Sequence, residues 1–167
     1  MAGRGILSEV IPVDSARIKT LRNGRWHNMF RPINPDRRFS GVSLGESFAE
    51  AYSKKHDCDV GLICCADGGT SLEQWQPGSL LFENAVNQAK LAQRTSVIVG
   101  ILWHQGESDC YDHLSGTYQE RFEPILHALR ERLNLPDVPS LWEDSAIILP
   151  NTVTVHGQII RSSTKHS

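Results

Sequence analysis

The side chains best suited to chemistry stand together in residues 103–109, which read Trp-His-Gln-Gly-Glu-Ser-Asp. Amide, imidazole, carboxylate and hydroxyl groups at this density can bind a polar substrate or stabilise charge that develops during a reaction. A second, smaller cluster is formed by residues 67–71, Asp-Gly-Gly-Thr-Ser, in which two glycines precede two hydroxyl groups. The glycine pair can equally be a tight turn that requires a positive φ, so this cluster alone does not define a site.

Both clusters directly follow apolar runs that predict buried strands. Residues 97–102 are almost continuously apolar, as expected of a strand that is buried on both faces in a parallel sheet. Residues 59–66 form a second, shorter run of the same kind. Open α/β sheets bind their ligands at the carboxyl ends of the strands. We therefore expect the chemistry of this protein at that edge of the sheet.

Apolar residues at helical spacing predict three helices, over residues 43–55, 80–94 and 116–133. The second helix would join the two strands in a βαβ unit. Pro124 lies inside the third helix and would kink it or mark a restart. Residues 6–39 contain several prolines and few long apolar runs, so we predict surface loops there, with a short hairpin around Asn23-Gly24.

The composition is that of a single globular domain. The chain has 167 residues, of which 40% are hydrophobic, enough for one sizeable core. Its 17 basic and 19 acidic residues leave a formal net charge of -2, without a long basic block, so neither nucleic acid nor a membrane is the expected partner. No apolar run approaches the roughly 20 residues of a membrane span, and no leader precedes Ile6, so we expect a cytoplasmic protein as the chain is written.

Cysteines and possible metal ligands give no specific signal. The four cysteines show no C-x-x-C spacing, and we interpret all of them as core thiols: Cys58, Cys64, Cys65 and Cys110. Asp109, Asp112 and His113 could suggest a metal site, but three or four ligands must converge around a metal, and such a cluster is usually a solvated loop. A metal site is therefore not expected.

An improvised serine–histidine pair is a further alternative. The hydroxyl groups near the predicted strand ends are those of Ser71, Ser108 and Ser115, and the possible bases are His104, His113 and His156. A serine is activated only when a base lies within hydrogen-bond reach, and nothing in the sequence places one there. We therefore do not expect such a pair.

Three short motifs occur in order: M-A-G-R-G at residues 1–5, G-G-T-S at residues 68–71 and W-H-Q-G-E-S-D at residues 103–109. Up to about Pro139, the chain resembles the sialate O-acetylesterase and acetylxylan esterase group, carbohydrate esterase family 6 of the SGNH/GDSL hydrolases. The resemblance implies a flavodoxin-like three-layer α/β/α domain with a parallel sheet. It also implies serine-dependent hydrolysis of acetyl esters on sugars such as acetylxylan or O-acetylated sialic acid. The substrate would be a small-molecule or oligosaccharide acetyl ester, and no cofactor is implied.

The same resemblance assigns the oxyanion hole, the set of donors that stabilises the charged intermediate of ester hydrolysis. Its donors would include the backbone N–H of Gly69 and the side-chain amide of Gln105, and each such donor contributes roughly 3–4 kcal/mol. Without the resemblance, Gln105 would be a polar residue that caps a strand end.

The resemblance also assigns supporting roles around these donors. Glu107 would fix the loop, and Arg4 would support the structure. Trp103 and His104 would be walls of the site. His104 is too close to Gln105 in the sequence to act as the distant general base.

Parts of the family's catalytic machinery have no counterpart in this sequence. In the family, the nucleophilic serine belongs to a G-Q-S-N-M-A-G-R-G motif after the first, central strand, and Met1 matches the methionine of that motif. The serine would then stand two residues before Met1. The family's catalytic Asp and His belong to a D-G-x-H motif, which does not occur after Pro139. We therefore expect an incomplete fold and an inactive chain; the alternative is a non-catalytic remnant or a carbohydrate-binding pseudoenzyme.

The hydrophobic pattern of the sequence changes at Pro139. A strand should begin there, but residues 140–167 show only some β-like alternation and no helix that would continue the alternation of strands and helices. We therefore assign no strand after Pro139. We therefore consider the neighbouring reading frame, which joins the last nucleotide of each codon to the first two of the next. In that frame the codons of Trp142 and Glu143 encode glycine whichever codons are used. At the other positions, codons can be chosen that encode a strand, a Gly-rich loop and an amphipathic helix. Our hypothesis is a partial esterase domain over residues 1–139 and an out-of-frame tail after it. The two apolar strands would then lack neighbours, which favours aggregation.

The nucleotide sequence tests this hypothesis. Codons for G-Q-S-N are expected in frame upstream of Met1, and the shifted frame after Pro139 is expected to stay open. The hypothesis fails if those codons are missing or if the shifted frame meets an early stop codon.

Overall fold

A computed structural model of the chain describes residues 2–110, 114–143 and 158–161. The strands, in chain order, are β1 (Ile18–Arg22), β2 (Arg25–Asn28), β3 (Val60–Ile63), β4 (Val97–His104), β5 (Ser140–Glu143) and β6 (Gln158–Arg161). The helices are α1 (Leu44–His56), α2 (Leu80–Gln93) and α3 (Tyr118–Leu133). The described strands form one sheet in the order β2-β1-β3-β6-β4-β5. The pairs β1/β3 and β4/β5 are parallel, whereas β2 and β6 run antiparallel to their neighbours, so the sheet is mixed.

Helices cover both faces of the sheet, which gives three α/β/α layers. The helix α1 packs on β1 and β3, and α2 packs with α3 against β3 and β4. In β4, Ile98 and Ile101 enter the core on the α2 side while Val99 and Leu102 pack towards α1. Residues three apart share a face here because a register shift between Ile98 and Gly100 interrupts the alternation of the strand. This confirms that the apolar run in residues 97–102 is a strand covered on both faces.

The predicted helices and the hairpin are confirmed. Ser43 begins α1 because its hydroxyl accepts the N–H of Gly45 while the carboxylate of Glu46 accepts the N–H of Ser43, a reciprocal capping box. The third helix is continuous through Pro124 and ends where Asn134 adopts a left-handed conformation. None of the described helices combines the length and the apolar character that a membrane span requires.

The prediction of surface loops over residues 6–39 is wrong in part. Ile18 and Ile33 are buried together with Val60 on the α1 side of the sheet, and β1 is the parallel neighbour of β3. The apolar run in β1 is too short to show a clear period. Its burial is decided by pairing with a strand that lies far along the chain.

The expectation that no strand follows Pro139 is also wrong. The strand β5 begins at Ser140 and pairs in parallel with β4 from Ile101 onwards, and β6 pairs with both β3 and β4. The two apolar strands therefore have neighbours on both sides, which removes the stated reason for aggregation. Strands pair through backbone hydrogen bonds, which do not require apolar side chains at every second position. The weak alternation of residues 140–167 is therefore compatible with two strands. The remainder of the predicted tail, residues 144–157 and 162–167, lies outside the described residues.

A buried ion pair joins the loop at Arg31 to the first turn of α1. The Nε atom of Arg31 lies 2.6 Å from the carboxylate of Glu46, whose side chain has no exposed area. The same guanidinium donates to the carbonyl oxygens of Val10 and Ile11, at 3.1 and 3.2 Å. This single side chain therefore holds two loops against the helix.

Arg31→Ala is expected to lower the free energy of unfolding by about 3–5 kcal/mol, because it leaves the Glu46 carboxylate buried without its cation. Urea unfolding followed by circular dichroism measures the change. The matched control is Arg132→Ala, which breaks a pair of the same type with Glu83 on the surface and is expected to leave the midpoint unchanged. Equal losses in the two variants would contradict this interpretation.

Candidate functional site

A cavity of about 960 Å³ opens at the carboxyl ends of β3 and β4. The strand β6 pairs with β3 only as far as Ile63 and with β4 only as far as Gly100. Beyond these residues the cavity lies between the two strands, lined by residues 64–70 on one side and residues 101–105 on the other. It lies at the sheet edge where the sequence predicts chemistry.

The glycine pair in the loop after β3 has two separate causes. Gly69 has a φ of +82°, a conformation that glycine adopts without strain, and a Cβ atom there would meet nothing within 4 Å. Gly68 is required by space, because a Cβ atom would stand 2.2 Å from the guanidinium of Arg4. Among the described residues, no group accepts a hydrogen bond from the Gly69 N–H. This donor on the cavity wall is therefore free for a ligand.

Arg4 and Asp36 hold this loop in place. The guanidinium of Arg4 donates to both carboxylate oxygens of Asp36, at 3.0 and 2.6 Å, and Asp36 also accepts the N–H of Gly68 at 2.9 Å. Burial by itself would raise the pKa of Asp36. The hydrogen bonds from Arg4, Gly68 and Ser40 outweigh burial and hold that pKa well below its usual range. The carboxylate therefore stays ionised and keeps the loop tied to residues 3–4.

Gln105 lies in a saturated hydrogen-bond network. Its Nε2 atom donates to the carbonyl oxygen of Thr70 at 2.8 Å and to the carboxylate of Asp109 at 2.6 Å. The hydroxyl of Tyr118 lies 2.5 Å from the backbone carbonyl oxygen of Gln105 and 2.9 Å from its Oε1 atom, and its single proton is shared between these two acceptors. Both N–H bonds of the amide are thus in use, and the side chain ties the loop after β3 to the loop after β4. Donation to an oxyanion requires that one of the two bonds be exchanged.

Asp109 is the buried centre of this network. Its carboxylate accepts the backbone N–H of Leu72 at 2.9 Å in addition to the Gln105 amide, and its other oxygen lies 2.8 Å from a guanidinium nitrogen of Arg121. The contact with Arg121 is off the direction of a hydrogen bond, so the pair is ionic. One carboxylate with an exposure of 1% therefore joins α3 to the loops after β3 and β4.

The remaining residues of the cluster line the cavity. Trp103 is buried, packs edge-on against Trp75 with ring centroids 5.2 Å apart, and donates from its indole nitrogen to the Tyr118 hydroxyl at 2.9 Å. The Nε2 atom of His104 lies 3.6 Å from the carboxylate of Glu107. Trp103 and His104 line the cavity, as does Glu107, whose side chain is mostly exposed. The structure therefore brings all the residues to which the sequence assigned a role to one cavity: Arg4, Gly69, Trp103, His104, Gln105 and Glu107. Their catalytic roles stay predictions.

Sequence reasoning missed the residues that hold Gln105. Asp109 was weighed only as a metal ligand, and Thr70, Tyr118 and Arg121 had no assigned role. Only the position of Asp109 at the end of a polar segment could have indicated a role in the site. A solvated aspartate would occupy the same kind of position in a sequence, so this signal does not predict burial. Tyr118 and Arg121 lie on the apolar-spaced helix α3, where nothing distinguishes a polar partner of the site from a surface residue.

The prediction of four core thiols is wrong for Cys110, which is exposed, because it lies in the loop after β4 rather than on a strand. Cys58 is buried, and Cys64 and Cys65 are half-buried on the cavity wall. Burial raises the pKa of both cavity thiols to about 12, so they are protonated and poor nucleophiles at neutral pH.

The candidate metal ligands and the candidate serine–histidine pairs lie partly within the described residues. Within the part of the chain that the structure describes, no three His, Cys, Asp or Glu side chains converge as a metal site requires. The side chains of the remaining candidates lie outside the described residues: Asp112, His113, Ser115 and His156.

This three-layer α/β domain has an SGNH-like fold of the carbohydrate esterase type, as a structural comparison shows. The structure superposes on the X-ray structure of the Arabidopsis thaliana protein At4g34215 with a TM-score of 0.77 and 31% sequence identity, over 85% of this chain and 68% of that chain. A family model described as carbohydrate esterase, sialic acid-specific acetylesterase, matches residues 1–159. The chain belongs to this carbohydrate esterase family.

The sequence comparison with a curated relative agrees. The chain is 30% identical over 162 residues to a probable carbohydrate esterase of Arabidopsis thaliana, At4g34215, an alignment that covers 83% of this chain. The aligned region spans 62% of the relative's length. The hypothesis of an out-of-frame tail after Pro139 stays a prediction that the nucleotide sequence decides.

Asp109→Asn is expected to lower the free energy of unfolding by about 3–5 kcal/mol. The substitution keeps the size of the side chain but removes the charge of the buried group that accepts from Leu72 and Gln105, and it leaves Arg121, whose side chain is 25% exposed, without its counter-charge. Denaturant unfolding measures the loss. Asp57→Asn is the control, because Asp57 pairs with Arg17 on the surface and has a left-handed conformation that asparagine also adopts, so no measurable change is expected. An Asp109 variant as stable as the control would contradict the role of this carboxylate.

Proposed function

We propose that this chain forms one wall of the acyl site of a carbohydrate O-acetylesterase. The observation that carries the proposal is the backbone N–H of Gly69, which donates to no described group and belongs to a residue that lines the same cavity as Gln105. The carbonyl oxygen of an acetyl ester becomes negatively charged when a nucleophile attacks it, and donors fixed in advance stabilise that charge. Family membership makes a sugar acetyl ester the substrate that this arrangement fits best.

Gln105 can serve as the second donor by exchanging one hydrogen bond. Its contact with the Asp109 carboxylate is charge-assisted and short, at 2.6 Å, whereas its contact with the Thr70 carbonyl is neutral, at 2.8 Å. A developing oxyanion is a stronger acceptor than a neutral carbonyl. We infer that the bond to Thr70 is the one given up, while Asp109 and Tyr118 keep the amide oriented.

The nucleophile and its base are expected from the family in G-Q-S-N and D-G-x-H motifs, and the 167 residues contain neither. We therefore propose that the chain by itself does not turn over acetyl esters. A second candidate function is binding of an acetylated sugar without catalysis. The open cavity of about 960 Å³ favours it, since this volume is within the range of ligand pockets and carries the Gly69 donor.

An assay of the purified chain with p-nitrophenyl acetate and a fluorophosphonate probe tests whether the chain by itself is inactive. Because activation of a serine needs a base within reach, we expect hydrolysis at the buffer rate and no labelled serine. Circular dichroism confirms that the tested chain is folded. Turnover together with labelling would overturn the expectation, and Ser71→Ala and Ser108→Ala then show whether either hydroxyl is the labelled group.

A further inference from the structure

An exposed aromatic ring stands at the mouth of the cavity. The side chain of Phe39 lines the cavity and is 70% exposed. Leu44 and Val10, which are also exposed, line the same cavity. Neither cluster of buried residues includes the ring. Much of its apolar surface therefore remains accessible at the cavity.

The ring of Phe39 lies on a fixed base. The guanidinium carbon of Arg4 is 5.0 Å from the ring centroid, which is within the range of a cation–π interaction. Arg4 is held by the two hydrogen bonds to Asp36 and by a third to the carbonyl oxygen of Gly3 at 2.9 Å. Asp36 also accepts the hydroxyl of Ser40, the next residue after Phe39, at 2.8 Å. The segment that carries the ring and the cation beside it are thus anchored to one carboxylate.

The same carboxylate connects the ring to the oxyanion donor. Asp36 accepts the N–H of Gly68, the neighbour of Gly69, so Phe39 and Gly69 are attached to one hydrogen-bonded unit. Both residues line the one cavity. A ligand whose acetyl group reaches Gly69 can therefore meet the ring with the rest of its structure.

Arginine side chains surround the segment that carries the ring. Arg4 and Arg37 are each paired with a carboxylate, at 2.6 Å from Asp36 and Asp67 respectively, whereas Arg38, the residue directly before Phe39, is exposed. The C–H face of a neutral pyranose is apolar and suits an aromatic surface, while its hydroxyls can reach the polar pair Arg37–Asp67 at the rim.

We infer that Phe39 is a stacking platform for the sugar ring of an acetylated pyranoside. This inference rests on the proposed function, because the acetyl group of the same ligand occupies the site at Gly69. Phe39 is then a residue that determines affinity for the sugar and not one that takes part in bond cleavage.

Titration of the folded chain with methyl 2,3-di-O-acetyl-β-D-xylopyranoside, followed by saturation-transfer NMR, tests the platform. We expect Phe39→Ala to weaken binding at least tenfold and Phe39→Trp to preserve it. Phe30→Ala is the matched control, because Phe30 is also exposed and lies 4.6 Å from the Arg22 guanidinium but does not line the cavity. Unchanged binding in Phe39→Ala, or an equal loss in Phe30→Ala, would overturn the inference.

The deacetylated glycoside separates this inference from the proposed function. If both glycosides bind equally and both are lost in Phe39→Ala, the platform stands and the acyl site fails. If the acetylated glycoside binds better and Phe39→Ala does not weaken it, the acyl site stands and the platform fails. If the wild-type chain binds neither glycoside, both are refuted.

Discussion

The arrangement of the site depends on the need to compensate one buried charge. The carboxylate of Asp109 is almost completely removed from water, and a carboxylate in that position costs several kcal/mol unless donors and a cation surround it. The partners that meet this need come from separate parts of the chain: the backbone of Leu72, the amide of Gln105 and the guanidinium of Arg121. Compensating one charge therefore fixes two loops and a helix relative to one another.

A second carboxylate performs the same task on the opposite side of the glycine loop. Asp36 connects Arg4, Ser40 and Gly68, and its depressed pKa shows that these partners outweigh the cost of burial. Gly69 lies between the two anchored regions, with its N–H turned to no described partner. The loops begin at the carboxyl edge of the sheet, and the two buried carboxylates hold them in fixed positions. A preorganised donor requires such a fixed position.

The spacing of apolar residues in the sequence was sufficient to predict the helices and strands that bury one clear face. The helices, the hairpin and the strands at residues 60–63 and 97–104 were predicted because apolar spacing or a turn pair marks each of them. Residues 18–22, 140–143 and 158–161 were missed as sheet members because their position depends on backbone pairing with distant strands. For the site, three short motifs predicted the family and the loops. The partners of Gln105 escaped prediction because they are dispersed over 49 positions, from Thr70 to Tyr118 counted inclusively, and meet only in the folded chain.

The most direct test of the account follows the two proposed oxyanion donors themselves. In ¹H–¹⁵N spectra of the chain titrated with methyl 2,3-di-O-acetyl-β-D-xylopyranoside, the Gly69 backbone signal and the Gln105 side-chain signals should shift together and saturate at one affinity. The side-chain amide of Gln93, which donates to the carbonyl oxygen of Leu133 away from the cavity, should not move. A ligand that binds and shifts other cavity residues while Gly69 and Gln105 stay in place would contradict the assignment of this wall as the acyl site.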